Sequence, residues 1–226
     1  MALFLSLLFH TTGIVLRWII AGRIPLGNGY ETMQFLAWCV LLVSFIFRKE
    51  QDIILPTGFL LSGFFLLVAY LGQSTPMITP LMPVLLSPWL SVHVSVIMMS
   101  YALFAFMLVL GVFAVSVNYS DMRDREEQVE RVTLLSRLFL YPAVFLLGAG
   151  ICMGAVWANV SWGRYWGWDP KEVWALITFM VYGAAFHVGS IPSFKRPLLF
   201  HWYLIFAFIT VVMTYFGVNW FFGGMH

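Results

Sequence analysis

WLSVHVSVIMMSYALFAFMLVLGVFAVSV, residues 89–117, runs through its whole length without a lysine, arginine, aspartate or glutamate. A helix rises 1.5 Å per residue, and about 20 mostly apolar residues cross the hydrocarbon core of a bilayer. The run therefore reads as a spanning helix. Six more segments meet the same test, at roughly 2–21, 31–47, 53–72, 138–158, 171–190 and 199–218. They are continuously apolar and do not alternate with polar residues, which argues against a β-barrel. Composition agrees: of 226 residues 62% are hydrophobic and 10% charged, against about 25% charged in a soluble domain. The expected fold is an all-α polytopic membrane bundle of about seven transmembrane helices. It forms one integral-membrane domain over residues 1–226.

The N-terminus opens as MALFLSLLF, with no basic stretch before it and no A-x-A-like site after it, so it reads as a retained first span. Connections carry the orientation. Eight of the twelve basic residues lie in alternate ones: Arg48, Lys49, Arg123, Arg125, Arg131, Arg137, Lys195 and Arg196. The opposite connections hold Arg23, Arg164 and Lys171, with Arg17 inside the first span. The positive-inside rule then places the N-terminus in the cytoplasm and the C-terminus outside. The charged stretch 119–137 reads as a cytoplasmic extension of the fourth helix plus a connector. Loop 73–90, with four prolines and no formal charge, reads as an apolar outer loop. The net charge of +2 is too small to suggest a nucleic-acid partner. Cys39 and Cys152 stand far apart with no CxxC, so neither a zinc site nor a dithiol redox site is indicated.

The chemistry concentrates in WGRYWGWDPKE, residues 162–172, an outer loop on this topology. Five of the ten tryptophans fall between Trp157 and Trp174. Indole is apolar with one donor, so a single tryptophan at a membrane interface needs no further role. The density of Trp157, Trp162, Trp166, Trp168 and Trp174 with Tyr165 instead suits a large planar apolar ligand. Asp169, Pro170 and Glu172 fit the cap, first and third positions of a helix, so the loop should end in a capping box. In RIPLGNGYE, residues 23–31, Gly-Asn-Gly reads as a turn and Glu31 as a partner for Arg17 or Arg23.

Topology sorts the five histidines. His93 begins the fourth span from the outer side, and His226, the last residue, is also outer. Two histidines flanking an aromatic surface make a plausible bis-His haem site. His187 lies sixteen residues beyond Lys171, about 24 Å down the inward-running sixth span. His10 sits within the first span, and an intramembrane ionisable group is a functional candidate. His201 lies at the cytoplasmic interface beside Lys195 and Arg196, where a structural role is the simpler reading.

WGRYWGWDPKEVWALI resembles the tryptophan-rich signature of the haem-handling membrane proteins of cytochrome c biogenesis, and its wording is similar to the CcsA (ResC) branch of system II. SPWLSVHVSVIMMSY (87–101) and FGVNWFFGGMH (216–226) resemble the segments bearing that family's two external haem-ligand histidines, here His93 and His226. TTGIVLRWIIAGRIPLGNGYET (11–32) resembles its N-terminal region. Family members usually continue past the second external histidine, whereas this chain stops at His226.

The resemblance implies a protein of the bacterial cytoplasmic membrane that carries haem b as cargo. Haem arrives from the cytoplasmic side and is presented outside on the loop around 158–171. Trp162, Trp166, Trp168 and Asp169 would form its platform, and His93 and His226 would ligate the iron. Haem is then joined to the CxxCH motif of an apocytochrome c. His187 matches the family's transmembrane histidine, whose inner site is completed by a CcsB (ResB) partner. A thioredoxin-like thiol reductant belongs to the same pathway. No acid, base or nucleophile stands out, so synthase activity would require the CcsB partner and would rest on positioning vinyl against thiol. The alternative is a haem-binding or export subunit, or a HemX-like regulator of the haem pathway, without synthase activity.

Overall fold

The computed structural model describes residues 2–72, 77–78, 80–81, 83–187 and 190–222. Among them the chain forms seven α-helices and no strand. The helices are α1 (Ala2–Ala21), α2 (Gly29–Phe47), α3 (Ile54–Leu71), α4 (Pro88–Asn118), α5 (Arg125–Trp162), α6 (Pro170–Ala184) and α7 (Pro197–Val212). α7 continues as wider π-helical turns over Met213–Phe222. Six of these helices are long and apolar enough to cross a membrane. The protein is a polytopic helical membrane protein. α6, with 15 residues, is about 22 Å long. The chain divides inside α4 into two compact units, Met1–Ala102 and Leu103–His226.

In the first unit α2 packs against both α1 and α3. The indole N–H of Trp38 on α2 donates to Thr11 Oγ1 on α1 at 2.9 Å, a pairing that lipid cannot supply. The rest of α1 is largely bare: Phe9, Ile19 and Ile20 are exposed and only Leu3 is buried. α2 starts where Asn28, in extended backbone, accepts the Glu31 N–H at 2.9 Å. Glu31 itself is buried, and its carboxylate gathers donors from three residues. Arg17 Nε lies at 3.0 Å, Arg23 Nη1 at 2.8 Å and the Gly27 N–H at 2.7 Å. Both arginines considered for Glu31 are thus its partners, and the turn read at 27–29 feeds the same cluster.

In the second unit α6 packs on α5, α7 and the turns that follow α7. Gly148 of α5 lets Phe179 of α6 close in, since a Cβ there would stand 2.9 Å from the ring. Tyr182 is fully buried and stacks on Phe104 at 3.8 Å. Two polar contacts pin α6 further: Thr178 Oγ1 to Thr214 Oγ1 at 3.0 Å, and the Tyr203 hydroxyl donating to the Val181 carbonyl at 2.6 Å.

Three boundaries depart from the sequence reading. The charged stretch 119–137 does not extend the fourth helix. α4 stops at Asn118, where Ser120 turns back on the Val117 carbonyl through both its N–H and its hydroxyl. Residues 125–137 instead begin α5, with Glu126 and Glu127 in the first turn and an Arg131–Glu127 ion pair one turn on. Acidic residues there favour the positive helix end. α5 is 38 residues long, about 57 Å, well beyond the ~30 Å hydrocarbon core. α6 ends at Ala184 and not near residue 190, because Ala185, Phe186 and His187 fold into tight turns onto Tyr182, Gly183 and Ala184. The seventh helix reaches past 218, in π form from Met213. The proline-rich loop 73–90 lies partly outside the described residues.

Candidate functional site

The tryptophan-rich segment is a seven-residue connection, 163–169, between α5 and α6. Gly163 ends α5 in the left-handed conformation, φ +72°, with its N–H on the Asn159 carbonyl at 2.9 Å. Glycine takes that conformation without a Cβ penalty. The other end is the capping box expected from the sequence. Asp169 Oδ1 accepts the Lys171 N–H at 2.8 Å, Pro170 occupies the first turn, and Glu172 reaches back to the Asp169 N–H at 3.2 Å. Glu172 does more than cap. The same Oε2 accepts the Gly167 N–H at 2.8 Å, so one carboxylate oxygen holds the backbone on both sides of Trp168.

Trp168 is held at φ +57°, and among the described residues it alone is a non-glycine with positive φ. Left-handed backbone costs a bulky L-residue about 1–2 kcal/mol, and such strain persists only where the surroundings impose it. The strain turns the indole outward: Trp168 is 73% exposed. Trp162, the last residue of α5, is 53% exposed, and Tyr165 61%. Together they form an apolar surface at the end of the second unit.

That surface is not one flat sheet. The rings of Trp166 and Trp168 meet edge to face, 5.9 Å apart at 89°, the arrangement their quadrupoles favour. Trp166 and Trp174 are half-buried, and Trp157 is buried within α5, so it belongs to the core and not to the surface. The exposed faces are those of Trp162, Tyr165 and Trp168. Arg164 supplies the local positive charge, its guanidinium lying where a Cβ on Gly167 would be 3.1 Å away.

The histidines are distributed as follows. His93 is half-buried in the second turn of α4, within the first unit. His187 is exposed, three residues beyond the end of α6. His226 lies outside the described residues. His201 is fully buried, with Nε2 2.9 Å from Thr133 Oγ1, a packing role consistent with the simpler reading. His10 lies midway along α1 with a buried, unpartnered Nε2. No cluster of three or more histidine, cysteine, aspartate or glutamate side chains suited to a metal ion occurs among the described residues.

Sequence reasoning missed the second task of Glu172. The signal was present in the five-residue spacing from Gly167, which lets a third-position carboxylate reach past its own cap. Replacing Glu172 with alanine is expected to leave α6 formed and to loosen the loop by about 1–2 kcal/mol. Limited trypsinolysis at Arg164 measures this, with cleavage expected to rise roughly 5- to 30-fold. Replacing Trp168 with glycine relieves about 1–2 kcal/mol of backbone strain but removes the edge-to-face contact with Trp166, about 0.5–1.5 kcal/mol, so the loop's stability is expected to stay within about 1 kcal/mol of the unaltered chain. Cleavage at Arg164 changed by less than about fivefold is the corresponding readout.

Comparison with known proteins gives a consistent result. The family described as Cytochrome C assembly protein matches residues 26–226. Protein NrfI of Wolinella succinogenes is 36% identical over 222 residues, covering 96% of this chain and 24% of NrfI. The cytochrome c biogenesis protein CcsA of Prochlorococcus marinus is 34% identical over 261 residues, covering 98% of this chain and 81% of that protein. CcsA of Chlorella vulgaris is 33% identical over 259 residues, covering 96% and 81%. The chain thus spans about a quarter of NrfI and about four fifths of the CcsA proteins.

Proposed function

This chain belongs to the cytochrome c assembly family, and from that premise we propose that it receives haem b as cargo and presents it on the loop 163–169 for attachment to an apocytochrome c. The observation that carries the reading is Trp168: a bulky indole held in left-handed backbone against its backbone preference, at the centre of a loop dense in aromatic side chains. A protein maintains such an arrangement where the exposed group has a ligand.

In this reading the macrocycle rests on the exposed faces of Trp162 and Trp168, with Trp166 set edge-on behind Trp168. Asp169, which caps α6 through the Lys171 N–H, forms the helix-side edge of the platform. Arg164 offers a guanidinium to a propionate. His93 and His226 are the ligands of the iron in this reading. Bis-His ligation fills both axial positions, which keeps oxygen off the iron while the cargo waits. Displacement of one histidine by that of CxxCH couples delivery to release. Two vinyl groups then add two cysteine thiols, each forming one thioether with no other product.

The distribution of basic residues supports a cytoplasmic N-terminus and a tryptophan loop outside the cytoplasmic membrane. His187, beyond the inner end of α6, is positioned to serve an inner haem site completed by a CcsB (ResB)-like partner. A thioredoxin-like reductant keeps the apocytochrome cysteines as thiols. Synthase activity belongs to the pair of membrane proteins together.

Co-expression with an apocytochrome c, with and without a CcsB partner, tests the assignment. Covalent haem in the cytochrome band on a denaturing gel is expected with the partner and lost with Trp168→Gly, although glycine relieves the backbone strain at that position. Covalent attachment undiminished in Trp168→Gly would remove the main support for the platform.

A further inference from the structure

Where the first turns of α7 meet α5, three buried polar atoms have no hydrogen-bond partner: Ser136 Oγ, Arg137 Nε and His201 Nδ1. Ser136 and His201 are fully buried. The three belong to one patch. Thr133, Ser136 and Arg137 stand at i, i+3 and i+4 on α5, and so on one face of it. Thr133 Oγ1 lies 2.9 Å from His201 Nε2, which turns that face toward α7. Arg137 leans on the first turn of α7, its guanidinium carbon 5.5 Å from the centre of the Phe200 ring. Leaving a buried donor without a partner is costly, so the patch suits a ligand rich in acceptor oxygens.

α7 adds donors of its own, because it starts without a side-chain cap. Pro197 has no N–H, and the Phe200 N–H is the first to bond back into the helix, to the Arg196 carbonyl at 3.1 Å. The Leu198 and Leu199 N–H groups are therefore presented at the positive end of the helix. Lys195 and Arg196 directly precede it, and both are exposed. Among the described residues neither they nor Arg137 form an ion pair. Three cations and an uncapped helix start match a phosphate group.

Depth selects the source of that phosphate. Arg137 lies 25 residues before Trp162, about 38 Å along α5, and a bilayer with its headgroups is about 40–45 Å thick. With Trp162 at one membrane surface, Arg137 stands among the headgroups of the other. From there exposed apolar side chains run into the hydrocarbon along both helices: Leu138, Tyr141 and Phe145 on α5, and Trp202, Phe206 and Ile209 on α7. Free phosphate gains nothing from them, whereas a lipid lays its acyl chains against them. We propose that the start of α7 and the facing side of α5 form a binding site for an anionic phospholipid. Arg137, Lys195, Arg196 and the Leu198 and Leu199 N–H groups hold its phosphate. Basic pockets between spanning helices take anionic headgroups in this way. The bound lipid ties α7 to α5 at the membrane face opposite the tryptophan loop.

The test uses the full chain purified in detergent and stripped of lipid. It is titrated with dioleoylphosphatidylglycerol or dioleoylphosphatidylcholine, and bound lipid is counted by native mass spectrometry. Four versions are compared: unaltered, Arg137→Gln, Lys195→Gln/Arg196→Gln and, as a control in the other unit, Arg48→Gln/Lys49→Gln. Thermal unfolding followed by circular dichroism verifies each fold. The unaltered chain is expected to bind phosphatidylglycerol at least tenfold more tightly than phosphatidylcholine. One basic side chain near the membrane surface contributes roughly fivefold. Arg137→Gln should therefore weaken phosphatidylglycerol binding at least fivefold and Lys195→Gln/Arg196→Gln by roughly 5- to 25-fold, while the control binds like the unaltered chain.

Equal binding of the two lipids by the unaltered chain overturns the site. Phosphatidylglycerol binding that survives both Arg137→Gln and Lys195→Gln/Arg196→Gln overturns it too. An equal loss in Arg48→Gln/Lys49→Gln marks diffuse attraction to surface charge, with the same consequence. Excess inorganic phosphate that abolishes lipid binding assigns the cluster to free phosphate and removes the lipid. If Arg137→Gln does not fold, Lys195→Gln/Arg196→Gln decides: weakened binding supports the site and unchanged binding overturns it.

Discussion

Replacing Glu31 with alanine is expected to cost about 3–5 kcal/mol, because it strands two arginine side chains that share one buried carboxylate. Glu31 is 1% exposed, with Arg17 Nε at 3.0 Å and Arg23 Nη1 at 2.8 Å, and it also holds the Gly27 N–H. The loss therefore reaches the α1–α2 turn, the start of α2 and the end of α1 together. A domain has only about 5–15 kcal/mol of net stability. The variant should accumulate poorly and unfold at a markedly lower temperature in detergent. Glu31→Gln keeps the shape and one acceptor oxygen and should lose less. Equal melting temperatures for Glu31→Ala and the unaltered chain would show that the cluster is solvated and contributes little.

The second large effect concerns ligand binding and not folding. Replacing Trp162 and Trp168 together with alanine removes two exposed indole faces. Covering a large apolar side chain is worth roughly 1.5–3 kcal/mol, so the pair should weaken haem binding by at least a hundredfold. Stability should hold, since neither ring is in the core. Haemin titration with thermal unfolding as the control separates the two quantities. Unchanged affinity would reduce the tryptophans to interfacial anchors.

Much of this was legible in the sequence, for reasons that differ between elements. α1 was read to the residue, since its apolar run starts and stops sharply. The capping box at Asp169–Glu172 was equally legible, because capping is local chemistry written in consecutive residues. The boundary between α4 and α5 was not. A charged, helix-favouring stretch can extend either neighbour, and the choice turned on Ser120 folding back onto Val117. The end of α6 failed similarly: AFHVG carries no strong breaker, yet the backbone tightens into three-residue turns after Ala184. In the site, residue types pointed to the right loop but not to its shape. Trp157 counts as a loop tryptophan by spacing and is buried in fact, and the Trp166–Trp168 right angle follows from the backbone at Trp168.

The haem reading is tested most directly by the absorption spectrum of the full chain purified from membranes of haem-replete cells. A low-spin, bis-histidine Soret band is expected, and replacing His93 with alanine should abolish its low-spin character. A chain that carries no haem, or a low-spin band unchanged by His93→Ala, would contradict the assignment of this protein as a haem-presenting member of its family.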